Sequence, residues 1–97
     1  MFDIDLLPDA IEDLKWFRKS DQVIVRDQIE AILRHQADEE TRNRKKLLPG
    51  HLSDWELRID KARVFYNVDP EANLVTIVAI GCKERNTLSF RGKEYSP

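Results

Sequence analysis

Two short runs of alternating residues, separated by two positions, constrain the fold of this chain more than any other feature. Apolar and polar residues alternate over residues 54–59 and again over Ala62–Asp69, which predicts two strands that each bury one face. The connection of two residues between them favours a tight β-hairpin. Pairing across this turn sets Arg58 opposite Arg63, although like charges directly opposite each other destabilise a sheet.

The same register divides the hairpin into two faces of different character. One face is apolar and is predicted to be the core side. It consists of Trp55, Leu57, Ile59, Val64, Tyr66 and Val68, and we expect Val75, Ile77 and Ala79 of the following strand to join it. The other face holds Glu56, Arg58, Arg63, Phe65 and Asn67, beside Leu74, Thr76, Val78 and Ile80. Basic groups among apolar ones often mark a partner site, whereas an ordinary cluster of surface ion pairs is the alternative.

Patterns before and after the hairpin give the other elements. Phe2, Ile4 and Leu6 alternate with aspartates, which predicts a half-buried strand. Apolar residues at helical spacing (Ala10, Ile11, Leu14 and Phe17) then predict a helix over residues 9–19, and Ser20 is the expected N-cap of a second helix. The stretch from Ala37 to His51 is predicted to be a helix end followed by a surface loop, residues 74–82 a strand, and Thr87–Phe90 a short strand before a tail.

This order predicts the fold class. We expect residues 1–97 to form one α+β domain, in which an N-terminal strand and an antiparallel helical hairpin precede a mainly antiparallel sheet of three or four strands and a C-terminal tail. The single cysteine, Cys82, rules out an internal disulfide and fits a reducing cytoplasm, and no signal peptide or membrane span is predicted. Residues 41–97 carry 11 basic and 7 acidic side chains, which permits a nucleic-acid partner.

The segment WELRIDKARVFYNVDPEANLVTIVAIGCKERN resembles the C-terminal half of toxins of the RelE/ParE superfamily, which belong to bacterial type II toxin–antitoxin modules. The hallmarks are an L-R-I strand, a turn, an A-R-V-F-Y-N-V strand, an acidic turn, a hydrophobic strand and a basic motif after isoleucine and glycine. The helices and the linker RNRKKLLPG fit the same arrangement, and the motif AIGCKERN is closer to RelE-like mRNA interferases than to ParE gyrase poisons.

The resemblance implies ribosome-dependent cleavage of mRNA without a metal or other cofactor, and a cognate antitoxin as protein partner. In this reaction the ribose 2′-hydroxyl attacks the adjacent phosphate and leaves a 2′,3′-cyclic phosphate. By the resemblance, Arg63 stabilises the transition state, Arg58 is the basic residue near the end of the preceding strand, and Lys83 and Arg85 form the basic motif after Gly81. Lys83 is expected to hold phosphate or to donate a proton.

The chain departs from the RelE pattern at two places. Asp54 and Glu56 stand where RelE has lysines, so that Glu56 is a candidate general base, with a plain ion pair as the alternative. Ser89 and Phe90 stand where a tyrosine is expected, and Tyr95 reaches the site only if the tail folds back. Phe90 then offers a ring on which a base can stack.

Further side chains are candidates for contact with RNA or the ribosome. These are Arg44, Lys45 and Lys46 of the basic linker, together with Phe65 and Phe90. For the linker, a solvated helix end is the alternative. Two other functions also stay open: a ParE-like toxin that acts on DNA gyrase without cleaving RNA, and a degenerate toxin that acts only as an antitoxin-bound corepressor.

Overall fold

The computed structural model describes residues 1–96, which fold into a seven-stranded sheet with helices against one face. The elements in chain order are β1 (Asp3–Leu6), α1 (Pro8–Trp16), α2 (Lys19–Gln28) with a π-helical continuation (Ile29–Leu33), α3 (Arg34–Gln36), β2 (Arg44–Lys46), β3 (Trp55–Ile59), β4 (Ala62–Asp69), β5 (Leu74–Glu84), β6 (Thr87–Phe90) and β7 (Lys93–Glu94). The strand order is β2-β3-β4-β5-β6-β7, and β1 pairs in parallel with β5. The other pairings are antiparallel, so the predicted α+β class is confirmed.

The register predicted for the hairpin of β3 and β4 is confirmed. Ile59 pairs with Ala62 and Arg58 with Arg63, and Asp60 takes a positive φ of 54° in the turn. The predicted core face is buried in five of its six positions, Trp55, Leu57, Ile59, Val64 and Tyr66, and Val68 packs against it. Alternation therefore places side chains correctly in this hairpin because one face is buried under the helices.

A β-bulge changes the predicted faces of β5. Val64 pairs with Ile80 and Phe65 with Ala79, but Tyr66 pairs with Ile77, so that Val78 is the extra residue. A bulge of this kind moves every later side chain of the strand to the opposite face. Ile80 is therefore in the core and Ala79 lies on the face of the arginines, which reverses the prediction for both residues.

The helices differ from their predicted bounds in ways that local chemistry explains. Pro8 occupies the first turn of α1, and α2 begins at Lys19 after the extended Arg18, so Ser20 is not the N-cap.

Ile11 is 40% exposed, while Asp13 is buried at 2%. Within residues 1–96 no helix is both long and apolar enough to span a membrane.

The basic linker and the C-terminal tail each form a strand that the sequence did not predict. Residues of the linker pair with β3 as β2, so the predicted surface loop is wrong in this part. The tail turns at Arg91 and Gly92, both with positive φ, and β7 pairs with β6. Tyr95 continues this pairing, because its amide donates a hydrogen bond to the carbonyl of Leu88 at 2.8 Å.

Candidate functional site

The candidate site is the sheet surface turned away from the helices, which we call the arginine face. Cross-strand pairing and the bulge bring these positions together on it: Glu56, Arg58, Arg63, Phe65, Ala79, Gly81, Lys83, Leu88 and Phe90. They come from four neighbouring strands, β3 to β6. Most of the predicted catalytic residues therefore share one surface.

Arg63 lies at the centre of the arginine face, and hydrogen bonds to nearby backbone carbonyls hold its side chain. Its Nη1 donates hydrogen bonds to the carbonyl oxygens of Asp60 and Ala62 at 2.6 and 2.9 Å, and its Nε is buried without a hydrogen-bond partner. Among residues 1–96 no carboxylate lies within 4 Å of this guanidinium, and its Nη2 makes no hydrogen bond. Burial lowers the pKa of Arg63, and the charge of Arg58 lowers it further, while Glu56 opposes the change. The arginine is thus oriented but not neutralised.

Glu56 and Arg58 form an ion pair along β3. The Nε of Arg58 lies 3.5 Å from Oε1 of Glu56, with 43% of the Arg58 side chain exposed against 13% for Glu56. The predicted ion pair of Glu56 therefore exists, and its partner is Arg58 rather than Arg63. The pair places an acceptor and a cation next to Arg63 while leaving the charge of Arg63 itself uncompensated.

Gly81 forms the floor between Arg63 and β6. It pairs with Arg63, and a methyl group built on it would lie 2.8 Å from Cδ1 of Leu88, 2.9 Å from Cε1 of Phe90 and 3.0 Å from the Ser89 carbonyl oxygen. The lack of a side chain thus lets the β6 side chains approach Arg63 closely. Glycine is required at this position by the close approach, because its backbone has no positive φ.

We expect Gly81→Ala to displace Phe90 and to destabilise the protein. Overpacking of this kind costs about 1–3 kcal/mol, and the backbone contact to Ser89 leaves little room for relief. Chemical denaturation of the two proteins measures the loss. Gly50→Ala is not a matched control because Gly50 has a φ of 95°. An unchanged midpoint for Gly81→Ala would contradict the close packing.

Three aromatic rings form a wall beside Arg63. The ring centroids of Phe65 and Phe90 are 5.9 Å apart, and those of Phe90 and Tyr95 are 5.8 Å apart in an edge-on arrangement. Phe65 is only 3% exposed, so its predicted direct contact with RNA is wrong and it supports Phe90 instead. Phe90 and Tyr95 remain half-buried. The tail does fold back as the role of Tyr95 requires.

The remaining predicted basic residues are divided between several places. Lys83 is half-buried on the arginine face opposite Leu88, whereas Arg85 lies at the exposed tip of the turn between β5 and β6 with a φ of 50°. Lys45 pairs with Glu56 and so lies on the arginine face, while Lys46 pairs with the core residue Trp55 and projects to the other side. Both lysines are exposed.

Arg44 is a correction to the predicted RNA-binding set. It is 5% exposed, and its Nε donates a hydrogen bond to the carbonyl oxygen of Glu39 at 3.0 Å. Its pairing with Leu57 places it on the helix side of β2. A buried guanidinium that is used to hold the preceding loop is not available to a nucleic acid.

A groove of about 520 Å³ opens on the opposite side of the sheet. Its lining includes Trp16, Ile24 and Cys82, with charged residues of both signs at the rim. Arg58 and Arg63 do not reach it because they project from the other face. The groove is therefore separate from the candidate site.

Sequence reasoning missed Ala79 and Gly81 as parts of the site and Asp13 as a buried charge. The two β5 residues were missed because the bulge is not visible in an unbroken run of apolar residues. The glycine beside the basic motif was the available signal for a close approach. For Asp13 the signal was weaker: its place beside Leu14 and three positions after Ala10, on the buried side of α1.

Comparison with known proteins shows which solved structures share this fold. No protein-family model matches the chain, and no characterised protein matches its sequence. A chain of the RelBE2 toxin–antitoxin complex from Mycobacterium tuberculosis is 19% identical with a TM-score of 0.71, covering 84% of this chain and 91% of that one. A chain of the Escherichia coli RelBE complex is 17% identical with a TM-score of 0.66, covering 88% and 100%.

A third solved structure is closer in sequence. The YoeB dimer from Staphylococcus aureus is 26% identical with a TM-score of 0.60, and the match covers 87% of this chain and 97% of that one. Together these structures confirm the predicted RelE-like fold over most of the chain. They are RelE and YoeB proteins, and the ParE-like alternative is not favoured.

Proposed function

We propose that this chain, which has the fold of the RelE and YoeB toxins, is the toxin of a type II toxin–antitoxin module and cleaves mRNA on the ribosome. The observation that carries the proposal is the Arg63 guanidinium, which is oriented by two backbone carbonyls and, among residues 1–96, faces no carboxylate within 4 Å. A guanidinium with a free edge binds phosphate oxygens in a bidentate manner. An RNA phosphate would supply the missing negative charge.

The proposed reaction is a transfer within the RNA itself. The ribose 2′-oxygen attacks the neighbouring phosphorus and gives its proton to a base. The bond from phosphorus to the 5′-oxygen breaks, and that oxygen takes up a proton, which leaves a 2′,3′-cyclic phosphate and a 5′-hydroxyl. Negative charge grows on the phosphate oxygens, where fixed cations stabilise it best. Arg63 is the proposed centre of this stabilisation and Arg58 its neighbour.

Glu56 is the proposed base, and Lys83 and Tyr95 are the proposed proton donors. Glu56 is a carboxylate on the arginine face, held by Arg58 at 3.5 Å, so it is oriented for accepting a proton. Lys83 projects from the same face, and the folded-back tail brings Tyr95 against Phe90. The ring of Phe90 is the proposed platform on which an unpaired base stacks.

The proposed partner is a cognate antitoxin, and its chemistry follows from the same surface. An acidic segment that folds on binding would neutralise Arg58 and Arg63 and cover Phe90. The solved structures that share this fold include toxin–antitoxin complexes. Such a complex would prevent RNA from binding to the arginine face until the antitoxin is removed.

Expression of the chain without an antitoxin tests the proposal. We expect growth arrest, with primer extension showing cuts that follow the reading frame of translated mRNA. Damage signalling from stalled gyrase with intact mRNA would instead show a gyrase poison. Harmless expression of folded protein would overturn the proposal in favour of a corepressor.

Replacement of Glu56, the proposed general base, by glutamine gives a second test, because it exchanges one carboxylate oxygen for an amide nitrogen. Glu56→Gln keeps an oxygen for Arg58 but accepts no proton, so we expect cleavage to fall by roughly 100-fold or more, with loss of the acidic limb of the pH–rate profile. Glu71→Gln, at an exposed turn position, is the matched control. Equal cleavage rates for both variants would reduce Glu56 to an ion-pair partner of Arg58.

A further inference from the structure

We propose that Asp13 of α1 is a positioning residue for the arginine face. It lies on the helix side of the sheet and acts on that face through the segments it contacts. This inference rests on the proposed function for its activity readout only. Asp13 contacts neither Arg63 nor the aromatic wall. It instead holds the two segments that carry the floor and the wall, namely the bulged part of β5 and the turn between β6 and β7.

Asp13 makes two contacts from a buried position. Its side chain is 3% exposed, and its Oδ2 accepts a hydrogen bond from the amide of Ile80 at 3.0 Å. Its Oδ1 lies 3.0 Å from Nε of Arg91 in an ion pair that lacks hydrogen-bond geometry. Burial raises the pKa of Asp13, and the contacts with Ile80 and Arg91 oppose that change. Burial of a carboxylate without partners is strongly destabilising, and these two contacts offset part of that cost.

The contact with Ile80 fills a gap along β5. On one side of this strand, β1 pairs with residues 74–77 and β6 with residues 82–84, so the amide of Ile80 lies between two ladders. The Asp13 carboxylate takes the place of the missing strand partner. It thereby fixes the segment whose bulge turns Ala79 and Gly81 toward Arg63.

The contact with Arg91 anchors the C-terminal hairpin to the helix layer. Arg91 has a φ of 51° at the start of the turn, and the next residue, Gly92, lies over the indole of Trp16. Phe90 is the last residue of β6 before this turn, and Tyr95 follows β7 directly after it. Holding the turn therefore holds the wall against Phe65.

Amide hydrogen exchange, together with cleavage by the full chain, tests the inference. In Asp13→Asn the side-chain oxygen still accepts from Ile80, but the ion pair with Arg91 is lost. We expect exchange of the Tyr95 amide to accelerate by about tenfold or more while exchange at Ile80 changes little. Cleavage at saturating toxin should fall roughly 10- to 100-fold, because small misplacements of catalytic groups have effects of this size.

Three further variants separate positioning from general stability. Arg91→Gln removes the same ion pair from an exposed side chain and should reproduce the changes at Tyr95, whereas Arg91→Lys should restore part of the cleavage. Glu12→Gln breaks an exposed pair with Lys15 on the same helix and should change neither readout. Unchanged Tyr95 exchange in Asp13→Asn and Arg91→Gln would overturn the inference. If the unmodified chain cleaves no mRNA, the proposed function fails while hydrogen exchange still decides the role of Asp13.

Discussion

Arg63→Ala is expected to abolish growth arrest and to lower mRNA cleavage by roughly 100- to 1000-fold, the usual effect of removing one preorganised group that stabilises transition-state charge. The Nη1 of Arg63 donates hydrogen bonds to two backbone carbonyls, and its Nη2 makes no hydrogen bond within residues 1–96. Arg63→Lys should recover only a small part of the rate, because an ammonium group lacks the planar fork. Primer extension and single-turnover cleavage measure both.

The same substitution should leave the fold almost intact. Arg63→Ala loses two hydrogen bonds to the turn, but it also removes a buried Nε without a partner and the repulsion from Arg58. We therefore expect the free energy of unfolding to change by less than about 1 kcal/mol. Arg26→Ala, on an exposed position of α2, is the matched control for the loss of one arginine. Full toxicity of a folded Arg63→Ala protein would refute the assigned role.

Tyr66→Ala is expected to have the largest effect on stability, with a loss of about 3–5 kcal/mol. Tyr66 has no exposed surface, stacks on Trp55 with a centroid distance of 6.2 Å, and donates a hydrogen bond from its hydroxyl to the carbonyl oxygen of Ala37 at 2.7 Å. It therefore joins β4 to the end of the helical layer. A loss of this size is a large share of the stability of a domain of 97 residues, about 5–15 kcal/mol.

Tyr66→Phe separates the hydrogen bond from the packing. It keeps the ring but leaves the Ala37 carbonyl without its partner, and we expect it to cost about 1–2 kcal/mol. Val68→Ala, on the same face of β4 but only partly buried, should cost less than Tyr66→Ala. Urea denaturation gives all three values. A Tyr66→Phe protein as stable as the unmodified chain would contradict a net stabilising role for this hydrogen bond.

The sequence predicted the part of the fold in which side-chain alternation is unambiguous. Residues of β3 and β4 alternate between apolar and polar, and only one register buries Trp55, Leu57 and Val64 together, so the opposition of Arg58 and Arg63 followed. The arginine face was predictable for the same reason. Its charge arrangement was not, because the choice of Arg58 rather than Arg63 as the partner of Glu56 depends on side-chain geometry.

The second half of the site was not predictable from alternation. β5 is apolar at nearly every position from Leu74 to Cys82, so the sequence pattern fits either face equally well and gives no sign of where a bulge lies. The bulge lies next to a tertiary contact that alternation does not reveal either, the hydrogen bond from the amide of Ile80 to the carboxylate of Asp13. The strands β2 and β7 were missed because they have three and two residues and draw their stability from pairing with their neighbours.

The central place of β5 in the sheet has a consequence for how the candidate site forms during folding. β5 pairs with β4, with β6 and, across nearly the whole chain, with β1, where Ile4 lies beside Val75. Pairing between residues so far apart in sequence makes folding slow. Arg63 has its Gly81 floor only when β4 and β5 have paired, and its aromatic wall only when β6 and β7 have joined β5. The arginine face therefore exists only in the fully paired sheet, and partly folded forms of the protein lack the candidate site.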